Sequence, residues 1–242
     1  LAWLTFKTRT RKKDEADVET LEEVRAILKQ EELPFELQKI NEARKRPLIP
    51  TTHKLQSVYL KDEKQLFHFL DNNIDLDELD ESDTCVASTR TRYNIETLDD
   101  HSKSLVINLH KLNDFRWLNR YFLTVHRKIY NGGYFVGKAH TIATHKKWFY
   151  KKLPKFLADI LYPLDFFIHR VFPKLPGIQK VYFLLTRGRN RILSKAEILG
   201  RLYFCGFKVI KVEEFQESMY YIARRVRTPS MDTSPSYGPT IK

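Results

Sequence analysis

Glycine is missing from the first 131 residues, and all eight glycines lie at or beyond Gly132. A backbone that turns tightly around a phosphate or an adenosine needs glycine. No G-x-G cradle and no P-loop is therefore encoded upstream of that point. Cysteine is almost as scarce: Cys85 and Cys205 stand alone, without C-x-x-C spacing. That excludes a disulfide framework and a cysteine zinc site, and it fits a reducing compartment. The eight histidines form neither H-E-x-x-H nor another compact ligand pair, which disfavours metal catalysis. A G-x-S-x-G nucleophile elbow is also lacking. No apolar run reaches the roughly 20 residues needed to span a bilayer. The opening LAWLTFKTRTRKK reads either as the last turns of a membrane helix with a basic flank or as a frayed basic terminus.

What is present is a chain of 242 residues, 42% hydrophobic and 13% aromatic, ample for a folded core. Its net charge of +12 is concentrated in one place. From Lys138 to Arg191 there are twelve Lys or Arg against two acids, Asp159 and Asp165. The same segment holds Trp148, Phe149, Tyr150, Phe156, Tyr162, Phe166, Phe167 and Phe172. Leu153, Phe156, Leu157, Ile160, Leu161, Leu164, Phe167, Ile168 and Val171 recur at helical spacing, with Pro154 in the first turn and Pro163 as a kink. Such a stripe either packs on the sheet as an insert or lies in a lipid headgroup region, with Trp148, Phe149, Lys151, Lys152 and Lys155 as its contacts. Basic and aromatic residues also interleave in single-strand binders, but here the aromatics fall on the apolar stripe, which disfavours nucleic acid.

The stretch from Ser104 to Lys138 reads as strand, helix and parallel strand. Ser104 to Leu109 is a β-branched apolar run, and Asp114 is placed to cap a helix carrying Phe115, Leu118, Phe122, Val125 and Ile129. Asn131-Gly132-Gly133 is expected to stop that helix before a strand over Tyr134 to Val136. Helices are expected over Asp14–Leu33, Phe35–Arg44 and Asp62–Leu70, strands over Leu55–Leu60 and Thr84–Ser88, and a solvated loop at the acidic IDLDELDES. Ser194-Lys-Ala-Glu197 matches a capping box for a helix burying Ala196, Leu199 and Leu202 and ending at Gly206. Phe207–Val212 and Ser218–Val226 alternate and pair, and Thr228–Pro239 is a Pro/Ser linker.

The segment LVINLHKLNDFRWLNRYFLTVHRKIYNGGYFVG resembles the fourth strand, helix and fifth strand of class I S-adenosylmethionine-dependent methyltransferases. From Leu105 to Lys242, KVYFLLTRGRNRILSKAEILGRLYFCGFKVI and SPSYGPTIK resemble the methyltransferase-like region preceding the catalytic domain of bacterial polyprenyl-phosphate glycosylphosphotransferases. The resemblance implies an α/β, Rossmann-like fold with a degenerate class I methyltransferase-type sheet and a basic amphipathic helical insert. It divides the chain into a helical and linker segment (1–50), the α/β domain (51–227, insert 139–193) and a linker (228–242) toward a missing sugar transferase domain. It implies a non-catalytic accessory role in a bacterial enzyme of surface-polysaccharide synthesis that moves a sugar phosphate from a nucleotide-sugar to polyprenyl phosphate. The partners would then be the missing domain and anionic lipid, at the cytoplasmic face of the inner membrane. Because the chain opens on Leu and ends on Gly-Pro-Thr-Ile-Lys, it is expected to be a fragment. No cofactor is expected on this reading. Two alternatives stand beside it: an active methyltransferase using S-adenosylmethionine, and a nucleic-acid-binding module.

For a cofactor the candidate residues are Asn108, His110, Asn113 and Asp114, just past the carboxyl end of a strand, where open α/β sheets place ligands. His110 could act as a base oriented by Asp114, against the simpler use of Asp114 as a helix cap. Arg187, Arg189 and Arg191, alternating along an extended segment, are expected to share one side and contact a phosphate. Thr89, Arg90 and Arg92 form a second basic turn.

Overall fold

The computed structural model describes residues 47–187 and 189–229. The helices expected over Asp14–Leu33 and Phe35–Arg44, the basic opening segment and the linker beyond residue 229 lie outside the described residues. Five strands form one sheet: β1 (Thr84–Ala87), β2 (Lys103–Lys111), β3 (Ile129–Ala139), β4 (Phe207–Phe215) and β5 (Ser218–Arg225). Their order is β1-β2-β3-β5-β4, with β1, β2 and β3 parallel and β5 antiparallel to both its neighbours. Parallel strands closed by a reversed hairpin make an α/β, Rossmann-like sheet of the class I methyltransferase type. Six helices are used below: α1 (Lys64–Asp71), α2 (Leu118–Lys128), α3 (Ile142–Lys152), α4 (Lys155–Phe166), α5 (Ile178–Thr186) and α6 (Lys195–Phe204). Helices α3 to α5 are the basic insert.

Alternation along β2 explains why it is buried on both faces. Leu105 and Ile107 join Leu66, Leu70, Val136 and Ile222 under α1, while Val106 joins Phe122, Phe135, Leu202 and Phe207 under α2 and α6. The ring of Phe135 sits 5.9 Å from that of Phe122 and 5.6 Å from that of Phe207, tying the crossover helix to the closing hairpin.

Several local expectations change. Leu55–Leu60 is a widened helical turn rather than a strand, since only its first and last residues are buried and the four between are exposed. The acidic 74–82 segment is not simply solvated: Ile74, Leu76 and Leu79 are buried, and Asp80 accepts from the Ile49 and Ser82 amides at 3.1 and 2.8 Å. Asp114 does not cap α2, which begins four residues later after Trp117. Asn131-Gly132-Gly133 does not end the helix either, because β3 already starts at Ile129. Gly133 is instead needed for close approach: a Cβ there would lie 2.8 Å from the Ser104 carbonyl oxygen on β2. Ser194 caps α6 by accepting from the Glu197 amide at 3.1 Å, but the Glu197 side chain leaves the box to bind Arg170 at 2.7 Å. Ile198 and Leu202 form the buried face of α6, and Ala196 is exposed.

Gly206 ends α6 as expected, with φ of +90°. A Cβ there would lie 2.5 Å from the Arg227 carbonyl oxygen and 2.7 Å from His126 Nε2. Gly206→Ala should therefore cost at least about 2 kcal/mol, from the left-handed backbone and the clash together. A urea midpoint unchanged from the parent chain would show that the corner can give.

Candidate functional site

The carboxyl ends of β1 and β2 open onto a cavity of about 380 Å³. Six arginines line it: Arg90 and Arg92 from the turn after β1, Arg116 just before α2 and Arg120 in its first turn, and Arg187 and Arg189 just past the end of α5. Thr91, Asp114, Phe115, Trp117 and Tyr121 complete the wall. Its one acid is already committed: Asp114 takes His110 Nε2 at 2.9 Å and the Asn190 amide at 2.9 Å, with Lys111 Nζ at 3.9 Å. Among the described residues, the only acid paired with any of the six arginines is Glu96, 2.9 Å from Arg92. Five guanidinium groups therefore converge without a carboxylate partner among those residues. Arg116 lies 5.2 Å from the Trp117 ring and 5.0 Å from the Phe183 ring, and Arg120 lies 5.1 Å from Trp117. The Nε of Arg116 is buried with no hydrogen-bond partner.

The turn that carries Arg90 and Arg92 is pinned from below. Asn108, fully buried on β2, donates through Nδ2 to the Thr89 carbonyl at 3.0 Å and reaches Tyr121 Oη at 2.8 Å. Its Oδ1 accepts from the Thr89 amide at 3.2 Å and the His110 amide at 3.0 Å. Asn108 is thus a structural latch with its polar atoms used inside the fold. Asn113 works the same way on the other side. Its Nδ2 donates to the His140 and Arg191 carbonyls at 2.8 and 2.6 Å, and its Oδ1 accepts from the His140 amide at 2.7 Å.

A second cavity of about 290 Å³ adjoins the ends of β2 and β3, lined in part by Lys111, His140, His145, Trp148, Asp165 and His169. The capping box of Thr141 and Thr144 starts α3 so that His145 faces Asp165 on α4. His145 Nε2 lies 2.6 Å from Asp165 Oδ2, and His169 Nε2 lies 3.6 Å from Oδ1. Burial, reinforced by the Lys111 ammonium, lowers the His140 imidazole to about 4, so it is neutral at ordinary pH. Burial also lowers His169. Among the described residues no cluster of His, Cys, Asp or Glu is placed to hold a metal ion.

Of the four candidates after β2, His110 and Asp114 come together as a pair at 2.9 Å, while Asn108 and Asn113 are structural. Arg187 and Arg189 reach the first cavity as expected, but Arg191 lines the second. The expected alternation breaks because Arg187 and Asn190 both have φ of +55°, which turns the chain out of the extended form. Arg191 then donates to the Phe115 carbonyl, and burial with the neighbouring Arg201 lowers it to about 10, still charged at neutral pH. The membrane candidates Trp148 and Phe149 are half-buried. Trp148 stacks on His145 at 5.7 Å and Phe149 meets Tyr162 at 5.7 Å. Lys151 is paired with Glu217 at 2.6 Å, Lys152 sits 4.7 Å from the Trp148 ring, and Lys155 is exposed. Sequence reading missed Arg116, Trp117 and Arg120, whose F-R-W-L-N-R run one short turn after a strand was the available signal. The pairing of His145 with Asp165, twenty residues apart, had no signal.

No family model matches this chain, and no curated protein does. Among solved structures it is similar to an S-adenosylmethionine-dependent methyltransferase from Mesorhizobium loti, at 17% identity and a TM-score of 0.33, over 54% of this chain and 67% of that one. A possible histamine N-methyltransferase from Thermotoga maritima gives 13% identity and 0.33, over 54% of this chain and 61% of that one. Geranyl diphosphate C-methyltransferase from Streptomyces coelicolor A3(2), solved with Mg2+, geranyl diphosphate and S-adenosyl-L-homocysteine, gives 9% identity and 0.40, over 72% and 84%. The chain thus spans under two thirds of the Thermotoga protein. All three are methyltransferases. The expected sugar transferase parent, the non-catalytic accessory role in polysaccharide synthesis and the expectation of no cofactor are accordingly withdrawn, since the proteins this fold resembles are S-adenosylmethionine enzymes.

Proposed function

We propose that this chain is a methyltransferase-type domain that holds an anionic acceptor at the carboxyl edge of its sheet and takes S-adenosylmethionine as methyl donor. The convergence of six guanidinium groups on one cavity at that edge carries the reading. The cofactor presents a carboxylate, a purine and a sulfonium. Forked guanidinium donors, including the orphaned Nε of Arg116, suit the carboxylate, and the Trp117 indole suits the purine. Six cations exceed what one carboxylate needs and oppose a sulfonium, so an anionic acceptor bound alongside would offset the surplus.

When bound, S-adenosylmethionine supplies a methyl group on an electrophilic carbon. The chain's own residues do the rest: the arginines orient the acceptor, and Asn108 holds the Arg90 turn in place. In the second cavity His145 donates from Nε2 to Asp165, which orients the ring and leaves Nδ1 as a hydrogen-bond acceptor.

Charge gives a direct test by calorimetry. S-adenosylhomocysteine, which lacks the sulfonium charge, should bind about tenfold tighter than S-adenosylmethionine at low salt, and added pyrophosphate should narrow that gap. Heat with pyrophosphate but with neither nucleoside would remove the cofactor from the reading. No heat with pyrophosphate would remove the anionic acceptor.

A further inference from the structure

The insert turns its apolar side outward. Along α4, Phe156, Ile160 and Leu164 follow one another at i, i+4 and i+8 and are all exposed, while the small Ala158 is the residue that α4 buries. On α5, Val181, Leu184 and Leu185 are exposed, the two leucines at 78% and 77%. A helix that packs on a sheet does the reverse. Monomeric proteins rarely leave this much large apolar surface open without a use for it.

We propose that α4 and α5 dock on an anionic phospholipid surface. Three observations choose this occupant. First, of the twelve Lys or Arg between residues 138 and 191, Lys146, Lys152, Lys155, Lys180, Arg187 and Arg189 are exposed with no ion-pair partner among the described residues, and the two acids of the segment are engaged, Asp159 by Tyr150 Oη at 2.8 Å and Asp165 by His145 at 2.6 Å. The surface therefore complements negative headgroups. Second, a second copy of this chain would bring the same positive charge against itself, which disfavours self-association through this face. Third, α4 has 12 residues, a length of roughly 18 Å against a hydrocarbon core of about 30 Å. Among the described residues no helix is long and apolar enough to cross a membrane, so these helices lie in the interface rather than span it. Lys155 at the start of α4 and Lys180 and Arg187 on and beyond α5 are exposed and placed to meet headgroups. Because Arg187 also lines the arginine cavity, that cavity opens next to the docking face.

The test is co-sedimentation of the full chain with vesicles of phosphatidylcholine alone and of phosphatidylcholine with phosphatidylglycerol, alongside sedimentation equilibrium without lipid. The chain should pellet with the anionic vesicles, and added salt should release it. Leu184→Ser with Leu185→Ser, both at exposed positions, should weaken pelleting about tenfold or more while leaving the circular dichroism spectrum unchanged. Equal pelleting of the parent chain and this variant would overturn the proposal. So would a dimer abolished by the same substitutions, or binding to an oligonucleotide with anionic vesicles left unbound.

Discussion

Replacing Arg187 and Arg189 together with alanine should weaken pyrophosphate binding about hundredfold. A charge-assisted hydrogen bond contributes about 1.5–3 kcal/mol, so losing one from each side chain removes roughly 3 kcal/mol, and each 1.4 kcal/mol is tenfold. Both side chains are exposed, and the hydrogen bonds of their backbone amides, to the Phe183 and Thr186 carbonyls at 3.0 and 3.1 Å, survive the change. The φ of +55° at Arg187 is already occupied by a residue with a Cβ, so alanine adds no backbone strain. The fold should therefore be untouched, which makes this pair a cleaner probe than Arg116, whose guanidinium is packed between Trp117 and Phe183. Added salt should weaken the parent chain more than the variant, because the exposed charges are the ones that ions screen. Titrations that superimpose would show that the cavity does not recognise anions through these two residues.

Four of the six cavity arginines, Arg90, Arg92, Arg187 and Arg189, were legible in the sequence, and the other two differ from them in kind. Arg187 and Arg189 stand out because they are close together in a segment depleted of acids. Arg116 and Arg120 do not, because the residues around them satisfy a helix pattern well enough that no second role is needed to explain them. The sheet joins Arg116 and Arg120 to the Arg90 and Arg92 turn, since β1 and β2 are parallel neighbours whose following turns open at the same edge, and the Asn190 amide bonded to Asp114 at 2.9 Å brings in the end of α5. That adjacency depends on strand order, which the local periodicity of a single chain does not encode. The strand, helix and parallel strand over 104–138 were legible because β2 is buried on both faces and α2 carries a 3.6-residue repeat. The failure at Asp114 came from a real ambiguity, since the same residue type serves as helix cap and as partner of a histidine four residues away. The structure uses it as the partner. The apolar stripe of α4 was read correctly as helical and left open as to its face, because periodicity says which residues share a side and not what covers it.

Acid should destabilise this fold well before its carboxylates titrate. His126 is buried against Phe207, with its Nε2 donating to the Arg227 carbonyl at 2.8 Å, and it lowers from an ordinary 6.5 to about 4. Burial is the main cause, and the Arg225 guanidinium, which itself donates to the His126 carbonyl at 3.0 Å, adds to it. His140 lowers to about 4 in the same way, through burial and then Lys111. Between 6.5 and 4 the unfolded chain takes up protons at these positions and the folded chain does not. Stability is therefore full above pH 6.5, falls as pH drops through that window, and stops falling from this source below about 4. At pH 5 the loss from His126 should be about 2 kcal/mol, with a smaller share from His140, which lies nearer solvent. Burial would raise Glu197, but its hydrogen bond from Arg170 and the nearby Arg201 charge hold it below the usual carboxylate range, so it loses its contribution only at lower pH and the histidine window can be read separately. Urea denaturation at pH 7 and pH 5 measures the slope. In His126→Gln the amide can still donate to the Arg227 carbonyl but cannot take a proton, so the variant should start somewhat weaker at pH 7 and lose less on going to pH 5. A pH slope as steep in the variant as in the parent chain would place the acid sensitivity elsewhere, with His140 and the arginine-bound carboxylates next in line.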